Sequence, residues 1–292
     1  MRRGVAIGAL VSSVLLAAAW LSLAPRIRAA TGAIPPVYDV VAPELPAELL
    51  GPRRAGELAI LLFSKTNGFR HEEAIPACEK SVREIAARRG WRVFATENGA
   101  VFEPALRERF DVVVGNNTTG DDWNTAQKAA FVRFVSDGGG FVGVHGAAGT
   151  RYAYWDWYQD TLIGARFVGH PVVPHLQDAA VVLEDRTHPA MRGFPQRWVT
   201  RDEWYSFAES PRSRVRVLAT LDEASYTPRE ILKSIAMGDH PIVWSQCLGR
   251  GRSFYSALGH SAETYATPEH ARMLEGAIAW AAGEGDCDVK AD

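Results

Sequence analysis

Short apolar runs alternate along this chain with stretches in which apolar residues recur every three or four positions. Glu57 to Phe63 is the first apolar run and predicts a buried strand, which ends in the loop Ser64-Lys65-Thr66-Asn67-Gly68-Phe69-Arg70-His71. A helix is predicted from about Ile75-Pro76, with proline in its first turn and Ile75, Cys78, Val82 and Ile85 on one face. Arg92 to Thr96 predicts a second strand, Glu103-Pro104 opens a short helix, and Val112 to Val114 predicts a third strand ending in Gly115-Asn116-Asn117-Thr118-Thr119. A helix near Thr125 to Asp137 turns Phe131, Phe134 and Val135 inward and stops at Gly138. Phe141 to Val144 is the fourth strand. This alternation predicts an α/β fold in which strands starting at Glu57, Arg92, Asp111 and Gly140 lie side by side and parallel.

The pattern changes after Gly146. Strand-like runs recur at Ala180-Leu183, Val215-Ala219, Pro241-Ser245 and Ser253-Ala257, with few helical patterns between them. They are expected to extend the same sheet. A last helix starts at Thr267-Pro268, an N-cap and first-turn pair, with Leu274, Ile278 and Ala281 facing inward.

The N-terminus follows different rules. Arg2-Arg3 precede the uncharged apolar stretch Val5 to Leu23, closed by Pro25-Arg26. Residues 1–30 therefore predict a signal peptide or an N-terminal membrane anchor, since about 19 apolar residues can span a bilayer. Residues 31–54, rich in Pro and Gly, predict a tether. A domain over 55–283 and a tail over 284–292 complete the division, and place the protein outside the cytoplasm in the periplasm or beyond.

At 292 residues and 47% hydrophobic content the chain can bury a full core. A net charge of -2 without a basic run in the body excludes an electrostatic footprint for nucleic acid. Three cysteines with no CxxC predict neither a disulfide framework nor a zinc ribbon. Nine Trp and eight Tyr change the picture more, because several fall in Arg151-Tyr152-Ala153-Tyr154-Trp155-Asp156-Trp157-Tyr158. Aromatic faces beside polar groups suit the C–H surface of a sugar, and aromatics equally fill a large core. Tyr154, Trp155, Trp157, Trp204 and Tyr205 are candidate sugar-binding residues on this ground.

The candidate chemistry centres on Phe141-Val142-Gly143-Val144-His145-Gly146-Ala147-Ala148. A strand entering a tight turn of small residues holds one side chain up at the carboxyl edge of a sheet, where hydrolases of this layout carry Ser or Cys. Here the residue is an imidazole, which can act as acid, base or metal ligand, and this argues against an acyl-enzyme. The small residues around His145 predict few packing partners for its ring. Ligands of open α/β sheets bind at the carboxyl ends of strands. His71, with Asn67 and Arg70, follows the first strand; Asn116 and Asn117 follow the third; His260 ends the run Ser256-Ala257-Leu258-Gly259-His260. In Asp202-Glu203-Trp204-Tyr205 alternation lets one carboxylate enter a pocket, and Glu203 is favoured. Of the dipeptides His170-Pro171, His188-Pro189 and His240-Pro241, His170 is the best functional candidate, since it follows the aromatic run. Several neutral histidines with a carboxylate would suit zinc or a similar divalent ion, although no HExxH spacing is present.

Asn67-Gly68-Phe69-Arg70-His71, Gly143-Val144-His145-Gly146-Ala147, Gly169-His170-Pro171, Asp202-Glu203-Trp204-Tyr205 and Gly249-Arg250-Gly251-Arg252 through Gly259-His260 together resemble the trehalose-utilisation (ThuA-like) family over roughly Glu57 to Ala282. That resemblance implies a flavodoxin-like, class I glutamine amidotransferase-like fold: a mostly parallel sheet with helices on both faces. It implies His145 in place of the amidotransferase Cys, and Ser253 to His260 as the counterpart of the strand carrying the triad His. Glu263 stands three residues past His260 where amidotransferases have two, a departure from the triad pattern, and Cys247 lies mid-strand. The resemblance further implies catabolism of trehalose or related disaccharides through 3-keto derivatives. His145, His260, Glu203, His71 and His170 would then be the acid/base or metal-binding groups. The rival reading is a non-catalytic carbohydrate-binding module at the cell surface. Convergence of His71, His145, His170 and His260 on one cavity would favour catalysis.

Overall fold

A computed structural model describes residues 35–287. The apolar stretch predicted to be a leader or anchor lies outside the described residues. Among the described residues no helix is long and apolar enough to cross a membrane.

The strands are β1 Ala59–Phe63, β2 Arg92–Thr96, β3 Val112–Asn116, β4 Gly140–Val144, β5 Phe167–Gly169, β6 Gln177–Leu183, β7 Arg197–Asp202, β8 Ser206–Phe207, β9 Arg216–Leu221, β10 Arg229–Glu230, β11 Lys233–Ser234, β12 Pro241–Leu248 and β13 Gly251–Ser256. Nine of them form one sheet in the order β2-β1-β3-β4-β13-β12-β9-β6-β7. From β2 to β13 all pairings are parallel. From β13 to β7 all are antiparallel. The parallel part has the 2-1-3-4-5 order of flavodoxin-like folds, with β13 as the fifth strand.

Every residue of β1, β3 and β4 is buried, because helices cover both faces of this part of the sheet and leave no solvated side for polar residues. The helix Ala74–Arg89 buries Ile75, Cys78, Val82 and Ile85, the face its periodicity predicts. The helix Thr125–Ser136 is closed at its start by a reciprocal capping box between Asn124 and Gln127, and it buries Phe131, Phe134 and Val135. The helix Pro268–Ala281 starts at Thr267, whose side chain accepts from the His270 backbone N–H, and it buries Leu274, Ile278 and Ala281.

Four features depart from the sequence expectations. β7 was not foreseen: it is a sheet-edge strand of alternating exposure, with Val199 69% exposed, so it lacks the apolar run that marks its neighbours. Residues 37–54 are pinned rather than loose. Asp39 pairs with Lys65 at 2.7 Å, Tyr38 donates to Asp121 at 2.8 Å, and Leu45 and Leu49 are buried. Cys247 and Cys287 form a disulfide, contrary to the reading of the odd cysteine count; Cys78 is the unpaired one, buried on its helix's inner face. That bond ties residue 287 of the predicted tail to β12, and the Trp280 indole donates to the Asp286 carbonyl beside it.

Candidate functional site

Four strand ends and one loop build the site. The turn after β4 places His145 at φ 42°, in the left-handed region, and Gly146 follows because a Cβ there would lie 3.0 Å from the Asn117 backbone. His145 is fully buried. Its Nδ1 lies 2.7 Å from the Ala257 carbonyl, which can only accept, so Nδ1 carries a proton and Nε2 is the nitrogen turned inward. Tyr205 packs on the ring at 4.1 Å between centroids, and the Tyr255 hydroxyl donates to the His145 carbonyl at 2.9 Å. The expectation of few packing partners is thus corrected: the small residues lie along the chain, while the ring is gripped by side chains from β8 and β13 and their flanks.

His145 Nε2 stands 3.2 Å from His260 Nδ1 and 3.5 Å from Glu203 Oε2, and His260 Nδ1 lies 3.0 Å from the same Oε2. The other oxygen, Oε1, lies 3.1 Å from His170 Nδ1. His170 reaches it because the ribbon of β5 and β8 sets Gly169 opposite Ser206, just beyond Tyr205. His71 completes the group, with ring centroids 4.8 Å from His145 and 5.1 Å from His260. Its Nδ1 is buried without a hydrogen-bond partner. One donor atom from each of His71, His145, Glu203 and His260 lies within 4.8 Å of the others, so these four could hold a metal ion.

Asp202, the residue alternation turns away, holds the arrangement from behind. Fully buried, it accepts from the backbone N–H of Glu203, Gly259 and His260 and from the Thr264 hydroxyl, at 2.8 to 3.0 Å. The burial of His71, then the charges of His145 and His260, hold its imidazole pKa well below the usual range. Burial also opposes charge on His260, but the hydrogen bond and charge of Glu203, with Asp202 and Glu73, raise its pKa overall. Burial would raise the Glu203 carboxyl; hydrogen bonding with His145 and His260, with the His170 ring beside them, outweighs it and holds the group well below the carboxylate range. One floor therefore carries a neutral His71, an ionised Glu203 and a His260 that favours its charged form.

Above this floor opens a cavity of about 500 Å³, lined among others by Phe69, His71, Tyr152, Phe167, His170, His175, Glu203, Tyr205 and His260. His145 lies beneath it. Of the sequence candidates, the cavity brings together His71, His170, Glu203, His260 and Tyr205 directly and His145 from below. The others lie elsewhere. Trp155 and Trp157 pack with Phe131, Tyr154 with Tyr158, and Trp204 is fully buried with its indole N–H donating to the Gln177 carbonyl. Trp204 thus belongs to the core, and Tyr154, Trp155 and Trp157 are half-buried against it. Asn67 is used up by Val37, Asp121 and Asp122, and Arg70 by Glu72 and Glu97. Asn116 and Asn117 are buried links to Ile75 and Tyr265. Sequence reasoning missed His175, whose ring meets His260 at 5.7 Å, and the Arg151–Glu230 ion pair, whose two residues also line the cavity. Val173-Pro174-His175 has no periodicity to flag it, and Tyr152 was masked by the core aromatics beside it.

The model of the ThuA family, described as trehalose utilisation, matches residues 59–281. The chain belongs to the ThuA family. No curated protein matches it. Among solved structures, this ThuA-family chain is similar to a ThuA-like protein of Bacteroides uniformis (TM-score 0.66, 23% identity, 79% of this chain and 94% of that one). A ThuA-like protein of Parabacteroides merdae is similar at TM-score 0.57 and 20% identity, over 78% of this chain and 90% of that one. A cytoplasmic protein of Salmonella typhimurium follows at TM-score 0.50 and 11% identity, over 77% and 99%. At these identities the likeness is one of fold: a large α/β sheet whose parallel part has the flavodoxin-like strand order.

Proposed function

We propose that this ThuA-family protein is an enzyme acting on a ketone-bearing sugar, a trehalose-like disaccharide in its 3-keto form, by moving a proton next to the ketone. The observation that carries this reading is the convergence of His71, His145, His170, Glu203 and His260 at one cavity floor. A binding module has no need for a buried cluster of ionisable groups with displaced pKa values, and such clusters mark catalytic sites. The cavity has the volume of a small-molecule site, and Phe69, Tyr152, Phe167 and Tyr205 offer faces to a sugar ring.

In this reading His260, held charged by Glu203, is the electrophile that takes the developing charge on the sugar oxygen. His170 and His175 on the wall are placed to take the proton from the adjacent carbon. Neither step forms a bond to the protein, in keeping with an imidazole at the turn where related layouts carry a nucleophile. We also infer export. The support is the Cys247–Cys287 disulfide, a bond that persists in oxidising compartments and is rare in the cytosol.

The test is incubation with 3-keto-trehalose and with trehalose in D2O, followed by NMR. Deuterium entry beside the ketone, isomerisation or cleavage is expected for the keto sugar alone. His170→Ala should slow it by roughly 100- to 10,000-fold with an unchanged melting curve. Binding of the sugar without exchange, isomerisation or cleavage would leave the binding-module reading in its place.

A further inference from the structure

We propose that His71, His145, Glu203 and His260 form a binding site for one divalent transition-metal cation of the zinc class at the cavity floor. The inference rests on the site above and not on its substrate.

Distances come first. His145 Nε2, His260 Nδ1 and Glu203 Oε2 form a triangle with sides of 3.0, 3.2 and 3.5 Å. A tetrahedral ion with bonds of about 2.0–2.1 Å sets its donors about 3.3 Å apart. The triangle therefore has the size of one face of such a tetrahedron, and His71 supplies a fourth donor atom within 4.8 Å of the other three.

Orientation agrees. A metal-binding imidazole has its second nitrogen engaged outside the site, which fixes the tautomer. His145 is built that way, with Nδ1 on the Ala257 carbonyl and Nε2 facing the centre. Glu203 turns one oxygen inward and gives the other to His170. The backbone of His260 is anchored on Asp202. His71 is 5% exposed, yet its Nδ1 makes no hydrogen bond. A buried polar atom left unpaired costs free energy, and a cation taking that nitrogen as a ligand would offset the cost.

Donor chemistry sets the class. Three imidazoles and one carboxylate favour Zn²⁺, Co²⁺, Ni²⁺ or Fe²⁺, and disfavour Ca²⁺ and Mg²⁺, which take oxygen ligands. Among the described residues no other group of three or more His, Cys, Asp or Glu meets the same distance condition. A cation there would serve as the electrophile that the sugar reading otherwise assigns to charged His260.

The experiment uses the untagged full chain with its disulfide intact, stripped with chelator and titrated with CoCl2, ZnCl2, MgCl2 and CaCl2. One equivalent of Co²⁺ should bind with the intense visible bands of a low-symmetry site, Zn²⁺ should displace it, and excess Mg²⁺ or Ca²⁺ should not. His71→Ala and Glu203→Gln should each weaken Co²⁺ binding by roughly 100-fold or more. His170→Ala, acting through Glu203, should weaken it roughly 10- to 100-fold. Circular dichroism melts check that each variant folds, and His71→Asn replaces His71→Ala if it does not. Absence of stoichiometric Co²⁺ binding by the folded chain overturns the proposal, as does unchanged affinity in both the His71 and Glu203 variants. Turnover is not measured here, so failure of the sugar reading cannot be mistaken for failure of the metal site.

Discussion

Residues 59–145 and residues 167–260 contribute strands to one sheet under different rules. In the first region the strands pair in parallel, β1, β3 and β4 are buried throughout, and each strand leads to the next through a helical crossover. In the second, the strands pair antiparallel, the edge strand β7 alternates between exposed and covered residues, and short ribbons such as β5–β8 and β10–β11 branch away. The first region supplies His71 and His145 from strand ends fixed by apolar packing. The second supplies Glu203 and His260, held by hydrogen bonds to one buried carboxylate, Asp202. Packing fixes a backbone over many residues; a polar anchor fixes a loop through a few bonds. The site therefore combines a rigid floor with a pinned wall.

The largest test removes one cavity-facing imidazole from each region. His260→Ala and His71→Ala should each lower turnover of 3-keto-trehalose by roughly 100- to 10,000-fold, and the double variant should be little worse than either alone. Full activity in His71→Ala would reduce the parallel region to a scaffold. The second test compares the two ways of holding loops. Asp202→Ala leaves four donors without their acceptor and should cost about 3–5 kcal/mol in a denaturant titration. Asn116→Ala, which loses a donor to the Ile75 carbonyl beside an apolar core, should cost about 1–2 kcal/mol. Equal costs would erase the distinction.

The smallest effect is a pH dependence of stability. Burial lowers His188, packed 4.8 Å from Trp280, to about 3, and lowers His270, 4.7 Å from Tyr265, to about 4. Both stay neutral in the folded chain while the unfolded chain protonates near 6.5. Below that pH the unfolded state binds more protons, so stability falls as pH falls, by about 1.4 kcal/mol per unit for each histidine until its folded pKa is reached. His270→Phe should flatten the slope between pH 6 and pH 5, measured by urea titration. An unchanged slope would show that this helix is not the acid-sensitive part.

The parallel region was legible because its signal is local: Ala59-Ile60-Leu61-Leu62-Phe63 must be buried on both faces, and Asn124 with Gln127 caps its own helix. The site histidines were legible as residues placed just past strand ends. Their grouping was less so. The run Tyr154-Trp155-Asp156-Trp157 supports sugar binding and core packing equally, and the fold sets Trp155 and Trp157 against Phe131, half-buried beside the core. Cys247 and Cys287 lie 40 residues apart, and no spacing rule joins them.

By itself the sequence determined the strand and helix alternation, the carboxyl-edge placement of His71, His145 and His260, and that only one of Asp202 and Glu203 faces the pocket, because each follows from period, cap or alternation within a few residues. Tertiary structure alone decided the rest. β7 stands four places from β13 in the sheet, yet its last residue, Asp202, grips Gly259 and His260. His145 became a buried ring under the cavity once Tyr205 and His71 closed over it. Distances of 3.0 to 3.5 Å between groups more than 50 residues apart depend on how the sheet and its loops pack. No periodicity along the chain encodes that packing.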